Sequence, residues 1–350
     1  MQGWRDRLKP RRVAQEPMGD PISCFCMAQD LLVFTGTING RVCAWRMKEA
    51  TEDSKSTELA NLPGEPVTSM DTSATHLFCT FGDRFSKGWR IADVVTGDNL
   101  DGETFDFKRC QSEATRMLNC TLQSSKFCLI FTRGQGWSQL FDLERKTSKK
   151  LRIGCKLHNI PVQFVAEEKE QVKGEGGDAG DGESDFSEHV DGKVLMSSRK
   201  NRASEESFTG VEVWSLGTSS CLLESKMQSS GDARFWEGDK IAYVEGADIL
   251  VAGKEGREGK EADDIRFSRL GGHTRKMRCF DVLLPDLVAS LSDDLELKLW
   301  RGGQCTRSVT LCSSILEPFS YDMTRIKVVS PFTILLSSGC SLYLLSFPSI

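Results

Sequence analysis

Gly271–Trp300 reads GGHTRKMRCFDVLLPDLVASLSDDLELKLW, and the spacing of its apolar residues decides the fold. Met277, Phe280 and Val282 take the inward positions of a first strand, and Leu287 to Ser290 form a second. Ser292-Asp293-Asp294 makes a turn, after which Leu295 to Trp300 return as an alternating strand. Apolar runs this short, bounded by turn residues, read as neighbouring antiparallel strands and not as helices.

The pattern recurs. In the first unit Ile22, Phe25 and Met27 match the first strand, Leu31 to Thr35 the second, and Asn39 stands six residues before Trp45 as Asp294 stands six before Trp300. The second unit carries Val67 and Met70, then Leu77 to Thr80, then Asp83 six before Trp89. Alternation alone marks four more units, around Phe141, Trp214, Val251 and Leu345. The seven unit ends are separated by 44, 52, 73, 37, 49 and 45 residues. Self-similarity at roughly 40–45 residues, each unit built of short strands, is the signature of a propeller array.

Gly271–Trp300, opened by Gly272-His273, resembles a WD repeat of the β-propeller family. The resemblance implies an all-β fold, a seven-bladed propeller of four-stranded antiparallel blades. It also implies a structural blade set of His273, Ser290, Asp294 and Trp300 joined by hydrogen bonds. Physics supports such a set, because a buried imidazole and a buried indole N–H both need partners, which a hydroxyl and a carboxylate supply. The chain departs from the family in that no unit ends in Trp-Asp: the pairs are Trp45-Arg46, Trp89-Arg90, Trp214-Ser215 and Trp300-Arg301, and only Phe141-Asp142 keeps the acid. Polar pairs at Thr96-Gly97, Thr147-Ser148, Thr218-Ser219 and Gly302-Gly303 follow four unit ends and are expected to turn third strands into fourth strands.

Residues 21–350 read as one propeller domain preceded by a basic arm, residues 1–20. The chain ends in Ser341–Phe347, a third strand, so the seventh blade lacks its outermost strand. A segment near Leu8 to Val13 can fill that edge and close the ring, with Pro10 tolerated on an edge. The same arm, with Arg5, Arg7, Lys9, Arg11 and Arg12 against Asp6, also fits a mitochondrial presequence. An acidic insertion at about 167–192 interrupts the fourth unit; between Glu167 and Asp191 ten acids stand against two lysines, a composition expected to be disordered. Subtracting its net −8 from the chain's −5 leaves about +3 for the rest. A shorter charged stretch runs from Gly253 to Asp264, and Ser184, Ser187 and Ser204 stand near acids as kinase-type sites.

Thirteen cysteines without paired spacing fit small buried side chains in a reducing compartment. Cys24 and Cys26 lack the second pair of a zinc site. No apolar run reaches the roughly 18 residues of a membrane span, and no secretory apolar core opens the chain. The expected location is therefore the cytoplasm or nucleus. The four histidines, His76, His158, His189 and His273, stand beside no nucleophile motif and in no metal spacing, so no catalytic, cofactor or metal residues are assigned.

A propeller is a platform whose rim positions partners. Turns between second and third strands, with the residues before each first strand, put Ile38, Gly82, Asp293, Arg275, Lys276 and Arg278 on that rim. An exposed Ile38 beside basic residues suits a peptide or protein with an apolar anchor and acidic flanks. Three functions fit: a protein-interaction scaffold in a larger assembly, a substrate receptor of a ubiquitin ligase, and an RNA-associated propeller. Ligase receptors of this family commonly carry Trp-Asp-x-Arg, absent after Trp45, Trp89, Trp214 and Trp300. The basic arm favours RNA, while the acidic insertion and a pI near 5.6 oppose it.

Overall fold

The computed structural model of the protein describes residues 11–16, 19–28, 32–47, 56–73, 75–82, 85–105, 118–122, 127–132, 138–142, 147–151, 159–167, 191–198, 209–215, 218, 220–227, 233–236, 240–254, 265–283, 287–311 and 324–347. These residues form seven four-stranded antiparallel sheets and one short helix.

The first-strand pattern i, i+3, i+5 looks wrong for a strand, whose faces alternate every two residues. A β-bulge explains it. The register shifts between Ile22 and Cys24, between Val67 and Ser69, and between Met277 and Cys279. One extra residue there returns Met277 and Phe280 to the same side, and both are buried.

Blade 1 contains Ile22–Met27, Leu32–Thr37, Arg41–Arg46 and Ser56–Asn61. Blade 6 contains Met277–Leu283, Leu287–Ser292, Glu296–Arg301 and Gln304–Thr310. Blade 7 contains Arg325–Ser330, Thr333–Ser338 and Ser341–Ser346, and takes its fourth strand from Arg11–Gln15. The first strands of blades 2 to 5 are Val67–Thr72, Leu118–Leu122, Asn159–Glu167 and Ala233–Phe235. Each first strand is a sheet edge; from blade 1 to blade 7 they pack beside one another in chain order, and that of blade 1 also meets the second strand of blade 7.

The core lies between sheets. Val33 and Trp45 of blade 1 pack with Val13, Leu335 and Leu342 of blade 7, whereas Phe34 and Ala44 turn the other way, onto Leu77 and Trp89 of blade 2. In blade 6, Val288 and Trp300 join Ile249 and Val251 of blade 5, and Ala289 and Leu299 join Ile334 and Leu345 of blade 7. Middle strands are buried on both faces, as in LVASLS, where all six residues are buried although two are serines. Each fully buried Val, Leu or Phe contributes about 1.5–3 kcal/mol.

Three expectations change in detail. The closing strand is Arg11–Gln15, displaced towards the C-terminus from the expected Leu8 to Val13; its Val13 and Ala14 are buried and residues 1–10 lie outside the described residues. Thr96-Gly97 is no simple turn: Ile91–Thr96 forms a helix whose C-cap is Gly97, with Val94 buried beneath it. Thr147-Ser148 instead begins the strand Thr147–Leu151. The acidic stretch joins the first and second strands of blade 4, but 168–190 lie outside the described residues, as do Asp83, Glu255 to Asp264, Ser184, Ser187, Ser204, His158 and His189.

Candidate functional site

Ser290 is the hub of blade 6. It sits on the second strand, fully buried, and its Oγ accepts a hydrogen bond from Trp300 Nε1 at 2.8 Å and lies 2.7 Å from His273 Nε2. His273 Nδ1 has no hydrogen-bond partner among the described residues and faces Glu296 Oε2 at 3.9 Å. A proton on Nδ1 meets that carboxylate favourably, whereas a lone pair would oppose it. We therefore assign the Nδ1–H tautomer, with Nε2 accepting from the Ser290 hydroxyl. The chain of bonds runs from Trp300 N–H to Ser290 O–H to His273. Burial, aided by the nearby Lys298 charge, pushes the His273 pKa down and keeps the ring neutral, as an acceptor must be.

Asp294 is brought beside this set but bonds elsewhere. Its carboxylate accepts from Thr274 Oγ1 at 2.5 Å, from the Ser292 hydroxyl and from the Glu296 backbone N–H at 3.2 Å. Partial burial acts to raise its carboxyl, yet these bonds outweigh it and hold the pKa down at about 2. Asp294 thus ties the turn together while Glu296 stands opposite the imidazole.

Ligand atoms of His273, Asp294 and Glu296 all lie within 4.8 Å of one another, a geometry able to gather around a cation. The Lys298 ammonium already stands 3.1 Å from Glu296 Oε2 and also donates to the Gly272 carbonyl. Its charge opposes entry of a metal ion.

Blade 1 repeats the chain with one exchange. Trp45 Nε1 donates to Thr35 Oγ1 at 2.8 Å, and Thr35 Oγ1 donates at 2.5 Å to Oε1 of Glu16. A carboxylate thus takes the place of the imidazole. Glu16 is only 2% exposed and also accepts from the Cys43 thiol at 3.7 Å. Burial pushes its carboxyl up, against the Thr35 bond and the Arg41 charge, which pull it down. Sequence reading missed Glu16 because it belongs to no unit: it directly follows the closing strand, and its N–H bonds to Cys340 O of blade 7 at 2.8 Å. Blade 2 lacks the chain. Its Trp89 indole donates to Leu100 O at 2.9 Å, while Thr80 pairs with Ser69 and Ser86.

The residues expected on the rim divide in two. Arg275, Lys276 and Asp293 are exposed, and Asp293 Oδ1 accepts from Arg278 Nε at 2.8 Å. The Arg278 side chain is just 8% exposed, so it braces the turn from within. Ile38 is half-buried, not exposed as expected; its N–H bonds to Pro21 O and draws the turn inward. Gly82 is also half-buried, with its N–H on Pro66 O. Of these residues the blade 6 charges are thus the exposed ones, and the blade 1 isoleucine is not. Asp281, in the first strand of blade 6, was also unforeseen. Buried at 3% exposure, it accepts from Val328 N at 2.8 Å and stands 3.7 Å from both Arg234 of blade 5 and Lys327 of blade 7.

Among the described residues no helix is long and apolar enough to cross a membrane. No protein-family model matches the chain, and no curated protein matches it. Solved structures do. The WD40 β-propeller domain of Doa1 aligns with TM-score 0.61 at 12% identity over 98% of each chain. The RRP9 WD40 repeats align with TM-score 0.61 at 13% identity over 98% of this chain and 100% of theirs. The Cps50 (Swd1) β-propeller domain of Myceliophteria thermophila aligns with TM-score 0.61 at 11% identity over 94% of this chain and 98% of its own. Likeness across the full ring at so low an identity is likeness of fold: the chain has the architecture of a WD40 β-propeller.

Proposed function

We propose that this protein is a non-enzymatic protein-interaction scaffold inside the cell, holding partners on the rim formed by the turns between second and third strands. The observation that supports this most is the blade 6 turn. Internal hydrogen bonds to the Asp294 carboxylate and the Arg278–Asp293 pair fix its shape, leaving Arg275 and Lys276 exposed on a rigid base. Rigid support with adaptable surface charge is what a recognition platform needs. The Ser290 and Thr35 hydroxyls are fully buried and engaged in hydrogen bonds that hold the sheets.

The test is purification of the tagged chain from its own cells at moderate and high salt, with identification of retained proteins. The expected result is a stable protein set that Arg275→Glu/Lys276→Glu depletes. Retention of nothing at either salt would refute the scaffold reading. Ligase subunits in the set would favour the receptor reading, and RNA lost at high salt would favour nucleic-acid association.

A further inference from the structure

The donors around His273 have the form of a metal-ligand set in which a cation already sits. The His273 side chain is 0% exposed, yet its Nδ1 has no hydrogen-bond partner among the described residues and faces Glu296 Oε2 at 3.9 Å. A buried nitrogen left in that state calls for a ligand or an ion. Asp294 brings a third donor within 4.8 Å of the other two. Each carboxylate is steadied from behind: the Thr274 and Ser292 hydroxyls donate to Asp294, and the Ser308 hydroxyl donates to Oε1 of Glu296, which leaves Oε2 turned to the ring. Metal ligands are oriented by outer partners of this kind. The cation in place is the Lys298 ammonium, 3.1 Å from Glu296 Oε2 and donating to the Gly272 carbonyl. One positive charge thus serves a cluster with two carboxylates.

We infer that this cluster is an exchange site for a divalent metal ion of the zinc class, which displaces the Lys298 ammonium and binds His273 Nδ1, Glu296 Oε2 and a carboxylate oxygen of Asp294. Imidazole with carboxylates suits zinc, whereas magnesium and calcium favour oxygen donors alone. Zinc holds such donors at about 2 Å in a tetrahedron, which sets them about 3.3 Å apart, so a small side-chain movement closes the set and leaves a fourth position to water. Charge balances, since two carboxylates neutralise the dication once the ammonium turns out, still protonated, past the exposed Gly271 and Gly272. Nδ1 then offers its lone pair, and the ring proton moves by solvent exchange to Nε2, which donates to Ser290 Oγ beside the Trp300 N–H. A hydroxyl oxygen can accept both bonds. Lys298 therefore sets the affinity by competition. A bound ion fastens the approach to the first strand, through His273, to the turn and third strand, through Asp294 and Glu296.

The test is a zinc titration of the full chain, read by long-range proton–nitrogen correlation of the histidine side chains, with magnesium as the comparison ion. Without metal His273 should show the Nδ1–H pattern; zinc should switch it to the Nε2–H pattern of a ring ligated through Nδ1, and magnesium should not. His76→Asn, His158→Asn and His189→Asn identify its resonances by elimination, so zinc held by thiols or by the acidic insertion is not mistaken for this site. Lys298→Met keeps the apolar stem and removes the charge, and should lower the zinc concentration at the switch at least tenfold. Glu296→Gln should raise it at least tenfold. A general loss of folding cannot move the two variants in opposite directions, and thermal melts without metal accompany both. A His273 pattern unchanged by excess zinc in the wild-type chain would overturn the inference, even if Lys298→Met alone responds, because the ammonium would then be a permanent occupant. A switch indifferent to both substitutions would overturn it as well.

Discussion

Replacing Ser290 by Ala tests whether the blade 6 hydrogen-bond chain holds the sheet. The hydroxyl serves two buried groups, Trp300 Nε1 at 2.8 Å and His273 Nε2 at 2.7 Å, in a site where Ser290 is fully buried and Trp300 3% exposed. Its loss leaves the indole N–H without its acceptor, at about 1–3 kcal/mol, and removes a hydrogen bond to the imidazole, at about 1 kcal/mol. The expected destabilisation is about 2–4 kcal/mol. Trp300→Phe, which deletes the donor and part of the ring, provides the second corner of a double-mutant cycle. Once Ser290 is gone the indole donor has nothing to bond, so the two losses should fall short of additivity by about 1–2 kcal/mol. Urea unfolding followed by tryptophan fluorescence reads the energies, and hydrogen exchange over Leu287–Arg301 localises them. A Ser290→Ala chain within about 0.5 kcal/mol of wild type, or additivity within the same margin, would refute the reasoning.

Glu16→Gln gives a pH signature of opposite sign to that of His273. Burial raises the Glu16 pKa, so the stability linked to its protonation is complete below the unfolded value of 4.5 and lost as pH rises through the folded value. The variant should therefore gain on wild type as pH rises from 4.5, and a flat difference in urea midpoints would count against it. The His273 pKa is depressed, so its contribution is full above 6.5 and lost as pH falls through the folded value; His273→Gln should flatten that acid limb, and an unchanged limb would remove His273 from the account. Gly40 and Gly64 share positive φ, 87° and 85°, yet a Cβ on Gly40 would meet Leu62 O at 2.1 Å whereas one on Gly64 meets nothing within 4 Å. Gly64→Ala should cost about 1 kcal/mol and Gly40→Ala several times more, and equal melting would contradict the packing. Asp281→Ala removes a partner from the Val328 N–H and two part-exposed cations, and should cost about 1–3 kcal/mol by denaturation, with no loss refuting its role between blades.

Blade periodicity was legible because it is written in local spacing. The i, i+3, i+5 apolar pattern carried the bulge, and the six-residue offset to Trp45 and Trp300 carried the turn. The two turns agree in detail: Gly40 N bonds Thr37 O as Leu295 N bonds Ser292 O, and Gly40 and Leu295 both adopt positive φ. Leu295 accepts that conformation while its side chain packs on the core between blades 6 and 7. What stayed hidden was non-local. Glu16 meets Thr35 across 19 residues and Asp281 meets Val328 across 47, and no spacing within a repeat predicts a bond between repeats. Within the set that family resemblance implied, Asp294 bonds Thr274, Ser292 and the Glu296 N–H, while Glu296, which spacing did not single out, faces His273. The half-burial of Ile38 likewise depends on Pro21, outside the turn that suggested its exposure.

The two hydrogen-bond chains occupy blades 1 and 6, the neighbours of blade 7, and that placement has a physical logic. Blade 7 alone is assembled from both ends of the described chain, so its closure carries the largest loop entropy, with Arg11 opposite Leu344. A sheet joined that way needs neighbours that do not yield. On one side Trp300, Ser290 and His273 fix blade 6, whose opposite face packs Leu299 and Leu291 against Ile334 and Leu336. On the other, Glu16 leaves the closing strand, bonds Cys340 O through its N–H, and plants its carboxylate on Thr35 in blade 1. A single residue thus couples the last blade to the first through backbone and side chain together. Blades 2 to 5 are each built from four consecutive strands. At the seam the polar chemistry has to be right, and it is there that the two Trp-hydroxyl chains are found among the described residues.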